Sequence, residues 1–373
     1  MSTLTVGVPR EVKTDEHRVA ITPDGVHEMA NHGVAVVIEN GAGDDSSITD
    51  DDYRAVGAEI VADAETVWNR AGIVLKVKEP QPSEFAYLRP DLTLFTYLHL
   101  AAYPDVAEAL LAAGTTGIAY ETVQTASGAL PLLAPMSEIA GRMAPQVGAH
   151  FLERRHGGRG ILMGGAPGVR PARVVVIGAG NVGWNAAWIA QGMEAEVLLL
   201  DKNLDRLRWV DQIHRGRIMT LASNAAAVAR AVADADLVIG AVLVPGGRAP
   251  QVVTEAMIKS MKPRTVLIDC AIDQGGCIEG IRETTHTDPV YKRFGVLHYA
   301  VGNVPGAVPN TSTYALTNAT LPYAVELATR GVRAAVDADT ALAAGLNTLA
   351  GEVPNAAVAQ ALDRRTVALA DLW

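Results

Sequence analysis

Cysteine is nearly absent from this chain, which carries only Cys270 and Cys277 among its 373 residues. Two cysteines without an accompanying cysteine or histidine cluster form neither a disulfide framework nor a zinc-binding pattern. We therefore interpret both as reduced thiols.

Long apolar runs are missing as well, although 49% of the residues are hydrophobic. The stretches Val174–Ile177 and Leu237–Val244 are far shorter than the roughly 18 residues of a membrane span. The N-terminal segment Met1–Lys13 has neither the basic start nor the long apolar core of a secretory signal. These absences predict a cytoplasmic protein without a membrane segment.

Positive charge is also scarce, because 31 Lys and Arg residues face 41 Asp and Glu residues, for a formal net charge of −10. Such a charge repels a phosphate backbone unless a local basic stripe compensates, and the sequence has no such stripe. We predict that the chain has no nucleic-acid partner.

What the chain does contain is a regular alternation of short β-rich runs with Ala-rich helical stretches, which is typical of an α/β protein with mostly parallel sheets. We predict helices at Pro23–Asn31 and Ala102–Ala113. A first series of strands is predicted at Leu4–Val8, Val34–Glu39, Ile73–Val77, Leu92–Leu98 and Thr116–Tyr120. A second series is predicted at Val174–Ile177, Glu196–Leu200, Leu237–Val242 and Thr265–Asp269.

The length predicts two domains, since 373 residues exceed one ordinary hydrophobic core. The Pro-rich and Gly-rich stretches Pro131–Pro135 and Gly302–Pro309 suggest the boundaries. They delimit a central domain of residues 132–309 and a discontinuous domain of residues 1–131 and 310–373. The helix Met136–Arg154 and the last helix would be the crossings, and we expect the tail after Asn310 to be helical, without a further strand series. A cleft between domains is a natural place for a ligand.

The turn Gly178-Ala179-Gly180-Asn181-Val182-Gly183 follows one predicted strand and precedes the predicted helix Trp184–Met193. In this context, G-x-G-x-x-G predicts a dinucleotide site, because its glycines allow a tight turn, close approach of a pyrophosphate and helix packing. Asp201 ends the next strand near the spacing at which a carboxylate meets the ribose hydroxyls, which favours NAD over NADP. The neighbouring Lys202, Arg206 and Arg208 complicate this preference. The alternative is a glycine turn that only links strand to helix.

Four polar residues stand at predicted strand ends, where open parallel sheets bind ligands. Arg18 could bind a carboxylate through two parallel hydrogen bonds from its planar guanidinium, or it could be a solvated loop arginine. We choose Lys78 as a ligand group and expect Lys76 to pair with an acid. His99 is suited to acid/base work near neutral pH, although a histidine in an apolar segment can simply belong to the core. Asp273 could orient water, or it could merely form the turn at Gly275-Gly276.

These residues lie in segments that resemble the alanine dehydrogenase family over nearly the whole chain. The matching strings are far more specific than the glycine turn alone, and they are Gly7–Glu11, Arg18–Pro23, Val77–Pro80, Tyr97–Leu100, Ala119–Gln124, Pro135–Glu138, Ala271–Cys277 and Thr311–Asn318.

The resemblance implies an α/β fold of two doubly wound domains, a central Rossmann NAD-binding domain and a discontinuous substrate domain with a parallel-rich sheet. It implies reversible oxidative deamination of L-alanine to pyruvate and ammonium through an imine and a carbinolamine, in a homohexamer. Arg18 and Lys78 would hold the substrate, His99 would be the acid/base, and Asp273 would assist with water. The candidate cofactor residues include those of the glycine turn. They are Ser137, Gly178, Gly180, Asn181, Val182, Gly183, Asp201, Arg206, Ser223, Val242, Leu243, Asp273, Arg282, Val301, Gly302, Asn303 and Val304.

One position departs from the family pattern. Some members bind magnesium through a glutamate and a histidine four positions later on a C-terminal helix, whereas here Arg330 follows Glu326 at that spacing. Arginine has no acceptor lone pair, so we predict no metal at this place.

Two other functions compete with this interpretation. A related protein, the NAD-binding subunit of a proton-translocating transhydrogenase, would not need Arg18, Lys78 and His99 together around a small carboxylate. A nucleotide-sensing protein that has lost its chemistry would not need a base and a carboxylate clamp. An assay of NADH formation from alanine against transhydrogenation would separate the two enzymes, and NADH binding without NADH formation from alanine would favour the sensor.

Overall fold

The computed structural model describes residues 5–242 and 249–373, and it divides the chain into two compact units. Unit 1 comprises the residues up to Met136 together with Val308–Trp373, and unit 2 comprises Ser137–Ala307. The sequence placed boundaries after residues 131 and 309, whereas the compact units divide after Met136 and Ala307. In the structure, the boundary after Met136 falls inside the helix Ala134–Leu152, whereas the boundary after Ala307 precedes the helix Pro309–Arg330.

Unit 1 contains a seven-stranded sheet with the order β14-β6-β5-β4-β1-β2-β3. Its strands are β1 (Val6–Val8), β2 (Val36–Glu39), β3 (Glu59–Val61), β4 (Ile73–Leu75), β5 (Thr93–Thr96), β6 (Thr116–Ala119) and β14 (Leu346–Thr348). All neighbours pair in parallel except β14, which runs antiparallel to β6 at the edge. The tail, which was predicted to be helical, contributes one strand to this sheet, β14, which has only three residues.

Unit 2 contains a second seven-stranded sheet with the order β12-β13-β11-β10-β7-β8-β9. Its strands are β7 (Arg173–Ile177), β8 (Glu196–Asp201), β9 (Met219–Ala222), β10 (Leu237–Gly240), β11 (Val266–Asp269), β12 (Val290–Arg293) and β13 (Val296–Tyr299). Only the pair of β12 and β13 is antiparallel. The six parallel strands follow the doubly wound Rossmann order, which confirms the predicted fold class.

Helices connect these strands. In unit 1 they are α1 (Pro23–Asn31), α2 (Asp50–Ala55), α3 (Ala64–Arg70), α4 (Pro104–Ala113), α10 (Pro309–Arg330), α11 (Val332–Ala338), α12 (Thr340–Gly345) and α13 (Ala356–Ala361). In unit 2 they are α6 (Asn181–Gly192), α7 (Leu204–His214), α8 (Ala225–Ala233) and α9 (Glu255–Ser260), while α5 (Ala134–Leu152) spans the first boundary. Among the described residues, none of these helices combines the length and apolarity of a membrane span.

The central strands β4, β5, β7, β10 and β11 are almost entirely buried, because helices cover both faces of a parallel sheet. Their Val, Ile and Leu residues form the cores of the two units. The order in which successive strands are added to the sheet reverses between β1 and β4 in unit 1 and between β7 and β10 in unit 2. Ligands of such sheets bind beyond the carboxyl ends of the strands at this switch point.

Candidate active site

Three sequence-predicted residues follow neighbouring strands of unit 1. Arg18 lies in the loop after β1, Lys78 lies after β4, and His99 lies after β5. These strands are adjacent in the sheet, so their carboxyl ends share one edge. The first strand ends at Val8, as predicted, whereas the other two end at Leu75 and Thr96, two residues earlier than predicted. The functional side chains belong to the loops that follow.

Arg18 is buried and rigidly held. Its side chain is 1% exposed, and its Nε–H donates to Oε1 of Glu16 at 2.6 Å while Nη2 donates to Oε2 at 2.5 Å. Its Nη1 lies 2.9 Å from Sδ of Met136. Although burial opposes ionisation, the Arg18 guanidinium lowers the pKa of Glu16 to about 2. This environment rules out a solvated loop arginine.

Lys76 is fully buried and forms ion pairs with two carboxylates, at 3.1 Å to Oε2 of Glu11 and 2.9 Å to Oε1 of Glu84. Oε1 of Glu11 also accepts the N–H of Val77 at 2.6 Å. Burial raises the pKa of Glu11 to about 7, although Lys76 opposes this shift. Lys76 is therefore committed to acids, as the sequence predicted, whereas Lys78, in the loop after the same strand, is half-buried.

His99 adopts a left-handed backbone conformation, with φ of 47°, which is uncommon for a residue other than glycine. Its ring stacks on Tyr97 at a centroid distance of 5.6 Å, and the Tyr97 hydroxyl donates to the carbonyl of Leu132 at 2.6 Å. Burial, followed by the charges of Lys78, Lys13 and Arg18, lowers the pKa of His99 to about 3. The ring is thus a neutral imidazole beside three cations, not an ordinary apolar core residue.

The structure therefore brings Arg18, Lys78 and His99 into one electrostatic cluster of unit 1. A small carboxylate would be attracted to the two cations, and a neutral imidazole beside it could accept a proton. This arrangement suits acid/base chemistry on a small anionic substrate.

The predicted glycine turn lies at the switch point of unit 2, between the end of β7 and the start of α6. Gly178 has φ of 106°, and a Cβ there would come 2.5 Å from the carbonyl oxygen of Ala241. A Cβ on Gly183 would overlap the carbonyl oxygen of Gly178. Both positions thus require glycine for packing alone.

Gly180 differs from these two glycines, because a Cβ there would meet only Nη1 of Arg206, at 3.6 Å. Gly180 is also the N-cap of α6, and no side chain caps this end. Open space in front of unpaired helix N–H groups, next to a guanidinium, fits the diphosphate of a dinucleotide. The residues present therefore fit the predicted cofactor.

Asp201 ends β8 and holds the turn. Its Oδ2 accepts the N–H of Ala179 at 2.5 Å, and its Oδ1 accepts the N–H of Asn203 at 2.7 Å. The carboxylate is only partly buried, and each oxygen has further acceptor capacity for a ribose hydroxyl. Of the neighbouring cations, Arg208 pairs with Asp205 and Arg206 lies beside Gly180.

The other candidate cofactor residues are distributed along unit 2. Asp273 lies in the 3-10 helix Ile272–Gln274, and a Cβ on Gly302 would come 3.0 Å from its Oδ1. The Arg282 guanidinium lies over the Tyr291 ring at 4.3 Å. Leu243 lies outside the described residues. The remaining ones are Ser137 in α5, Asn181 and Val182 in the first turn of α6, Ser223 after β9, Val242 after β10, and Val301, Gly302, Asn303 and Val304 after β13.

Sequence reasoning missed the acids that support the cluster in unit 1, namely Glu11, Glu16 and Glu121. Glu121 follows β6 at the same sheet edge, so the strand-end rule that selected His99 could have found it. Glu16 precedes Arg18 by two positions, but nothing in that spacing indicates that the two side chains pair.

The place at which some family members bind magnesium holds an ion pair here, with Nη1 of Arg330 at 3.0 Å from Oε2 of Glu326. Within residues 5–242 and 249–373, no three His, Cys, Asp or Glu side chains gather as a metal site would require. Cys270 and Cys277 are free thiols, and burial raises the pKa of each.

Comparison with known proteins agrees with these observations. The family models "Alanine dehydrogenase/PNT, N-terminal domain" and "Alanine dehydrogenase/PNT, C-terminal domain" match residues 7–140 and 144–356. The sequence is 56% identical over 360 residues to an alanine dehydrogenase of Mycolicibacterium smegmatis, covering 96% of this chain and 97% of that protein.

Two solved structures are similar over nearly the whole chain. An L-alanine dehydrogenase superimposes with a TM-score of 0.93 at 48% identity, covering 96% of this chain and 99% of that one. A transhydrogenase from Sinorhizobium meliloti superimposes with a TM-score of 0.80 at 27% identity, covering 95% and 99%.

Proposed function

This chain belongs to the alanine dehydrogenase/PNT family, and from that premise we propose that it catalyses the reversible NAD-dependent oxidative deamination of L-alanine. L-Alanine, NAD and water give pyruvate, ammonium, NADH and a proton. The observation that carries the proposal is the neutral imidazole of His99 among the cations Lys78, Lys13 and Arg18. That combination serves a small carboxylate whose neighbouring carbon bears a nitrogen or an oxygen that must gain and lose protons.

Arg18 and Lys78 would bind the substrate carboxylate. Glu16 accepts from Nε and Nη2 of Arg18, and Nη1 lies against Met136, so the guanidinium that would attract the substrate carboxylate is held in one orientation. A guanidinium whose rotamer is already fixed loses little further entropy on binding. Lys78 would add a second positive charge without fixing a plane.

His99 would move the protons. The substrate would react with its amine neutral, after the ammonium has given one proton to solvent. Once the substrate has lost a hydride, water adds to the carbon of the resulting iminium while His99 accepts one water proton, which gives a carbinolamine. His99 then returns this proton to nitrogen and accepts the hydroxyl proton as the C–N bond breaks, and the departing ammonia takes up that proton to become ammonium. A base that is neutral before substrate arrives can accept the water proton at physiological pH.

The bound anion would also tune this base. Burial and then the surrounding cations lower the pKa of His99 to about 3. A substrate carboxylate between them would offset part of this positive charge and raise the pKa towards neutrality. His99 could then donate as well as accept a proton, as a reversible reaction requires.

The cofactor is a nicotinamide dinucleotide, which the family and the turn of unit 2 support, and we propose that it is NAD. When bound, it supplies the hydride acceptor. The turn Gly178–Gly183 and the open end of α6 would hold its diphosphate, and Asp201 would accept from the ribose hydroxyls. Asp201 would repel a 2′-phosphate at that position, whereas Arg206 would attract one, so the ratio of kcat/KM for NADH and NADPH measures which effect dominates. By family resemblance, Asp273 would orient the attacking water.

Assembly and location are inferred by the same resemblance. We propose a homohexamer of this chain in the cytoplasm, with L-alanine, pyruvate and ammonium as its small-molecule partners. Light scattering on the purified protein, measured during size-exclusion chromatography, tests the assembly.

The decisive experiment measures NADH formation from L-alanine and NAD at alkaline pH, and NADH oxidation with pyruvate and ammonium near neutral pH. We expect turnover in both directions, and serine, valine and glyoxylate define the substrate range. Hydride transfer to a second nucleotide without alanine would instead support a transhydrogenase component, and NADH binding without turnover would support a sensor. Either result would overturn the proposal.

A further inference from the structure

Glu121 has no role in the chemistry described above, yet it contacts the backbone of the proposed base. Its Oε1 accepts the N–H of His99 at 2.6 Å, and its Oε2 accepts the N–H of Leu98 at 3.2 Å. Two successive N–H groups of the active-site loop therefore converge on one carboxylate.

The sheet places Glu121 at this position. Strands β5 and β6 pair in parallel, with Thr96 opposite Ala119. Glu121 therefore follows its strand by two residues, level with the residues that follow β5. The segment around Glu121 is itself fixed, because the buried Tyr120 ring packs edge-on against Phe95 at 4.5 Å and the Thr122 hydroxyl donates to Asn347 Oδ1 at 2.8 Å.

The backbone at His99 needs such support. A φ of 47° is costly for a residue with a Cβ and persists only where the surroundings hold it. On the other side of His99, its carbonyl accepts the N–H groups of Ala102 and Tyr103 at 2.8 and 3.1 Å. Glu121 supplies the restraint on the N–H side, which completes the fixation of this residue.

The direction of the imidazole depends on this conformation. The Cα–Cβ bond of a left-handed residue leaves the chain in a different direction from that of an extended one. A relaxed backbone at position 99 would turn the ring away from Lys78 and Arg18, even though every side chain of the cluster remained present.

We propose that Glu121 is a positioning residue, which locks the loop Leu98–His99 in the left-handed conformation that directs the imidazole into the substrate site. Glu121 itself exchanges no proton with substrate. This inference rests on the proposed dehydrogenase function and adds to it a residue that acts through another.

Two variants test the bonds and the charge separately. Glu121→Gln keeps the length but places an amide NH2 against one backbone N–H, and Glu121→Asp keeps the charge but shortens the side chain by one methylene. Because misplacing a reacting group by about 1 Å can cost about 100-fold in rate, we expect kcat for pyruvate reduction to fall about 10- to 100-fold in both. The KM for pyruvate and the Kd for NADH should stay within about threefold, since the cations and the glycine turn are unchanged.

Glu39→Gln is the matched control. Glu39 is a buried glutamate of the same sheet that accepts the N–H of Arg10 at 2.8 Å. It is not among the groups that act on His99. This variant should keep the kcat of the wild type.

The outcomes separate this inference from the proposed function. Absence of wild-type turnover overturns the function, and with it the inference. With an active wild type, the positioning role is overturned by unchanged kcat in Glu121→Gln, by a wild-type rate in Glu121→Asp beside a slow Glu121→Gln, or by an equal loss in Glu39→Gln. Circular dichroism and NADH binding report folding; if one variant fails to fold, the other carries the test, and failure of both assigns Glu121 to folding instead.

Discussion

Arg18 and Glu16 form a buried, two-point ion pair two residues apart along the chain, with Nε–Oε1 and Nη2–Oε2 distances of 2.6 and 2.5 Å. A planar guanidinium held at two points cannot rotate about its long side chain. The guanidinium that we propose as part of the substrate clamp is thus held in one plane before any ligand arrives.

Removing the charge of Glu16 should destabilise the protein and weaken the proposed binding of substrate by Arg18. Because Glu16→Gln leaves the Arg18 charge buried without its partner, we expect a loss of about 3–5 kcal/mol in stability and a higher KM for pyruvate. Urea unfolding and pyruvate saturation measure the two effects. The exposed pair of Arg70 and Glu59, with two contacts of similar length, is the control, and Glu59→Gln should barely change either quantity. Equal stability of both variants would contradict the argument.

His99→Ala should lower kcat by about 100- to 10,000-fold, the range that a positioned general acid or base contributes. The glycine turn belongs to the other unit, so the Kd for NADH should remain within about twofold. Stopped-flow and equilibrium fluorescence titration measure these quantities. A variant with the wild-type kcat would remove His99 from the mechanism.

Lys78→Ala should change both the binding of pyruvate and the pKa of His99. It removes one cation from the carboxylate site, so the KM for pyruvate should rise at least tenfold. Burial is the main cause of the low pKa of His99, and the charge of Lys78 is the next largest. Removing this charge should therefore raise the pKa of His99 from about 3. The pH profile of kcat/KM for pyruvate should show the corresponding limb at higher pH. Lys292→Ala, at an exposed site of β12, should reproduce the wild-type profile.

Gly183→Ala should abolish dinucleotide binding, because its Cβ would overlap the Gly178 carbonyl oxygen and force the turn apart. Gly192 provides a control in the same helix, since a Cβ there meets nothing within 4 Å. Gly192→Ala should bind NADH like the wild type and be slightly more stable. Fluorescence titration with NADH compares the two variants, and a functional Gly183→Ala protein would refute the assigned packing.

Glu11→Gln should change how stability depends on pH. One lysine, Lys76, faces the two buried carboxylates of Glu11 and Glu84, and burial raises the pKa of Glu11 from 4.5 to about 7. The folded protein thus binds an extra proton between these values. The resulting stability is fully present below about pH 4.5 and is lost as the pH rises through 7.

The unfolding temperature of the wild type should therefore fall relative to Glu11→Gln between pH 5 and pH 8. Subtracting the two curves cancels the groups that both proteins share, and Glu65→Gln on the exposed face of α3 is the control. A difference that stays constant over this range would show that Glu11 is ionised throughout.

The sequence predicts those parts of the molecule that local patterns determine. The helix Pro23–Asn31 has the predicted bounds, because Thr22 caps it and Pro23 opens it. The glycine turn is equally local. In contrast, the strands β3, β9, β12, β13 and β14 escape prediction. β3 and β14 have only three residues each, and β9 is an edge strand whose side chains are largely exposed, which leaves no apolar alternation to recognise.

In the candidate site too, local sequence patterns predict some features and miss others. The strand-end rule selects Arg18, Lys78 and His99, because topology alone brings such positions to one edge. It cannot show that Glu16 binds Arg18 or that Glu121 binds the backbone at His99, since these contacts depend on side-chain rotamers and on a left-handed φ. Long-range partners of this kind have no periodic signature in sequence.

The edge strand β14 ties the completion of unit 1 to the order of protein synthesis. Leu346–Thr348 pair with β6 and are translated only after all of Ser137–Ala307. Until they leave the ribosome, the nascent sheet presents an open edge at β6, next to the segment that carries Glu121, and exposed edges invite intermolecular pairing. Chaperones that bind unpaired strands therefore have a defined target on this polypeptide while it is being made.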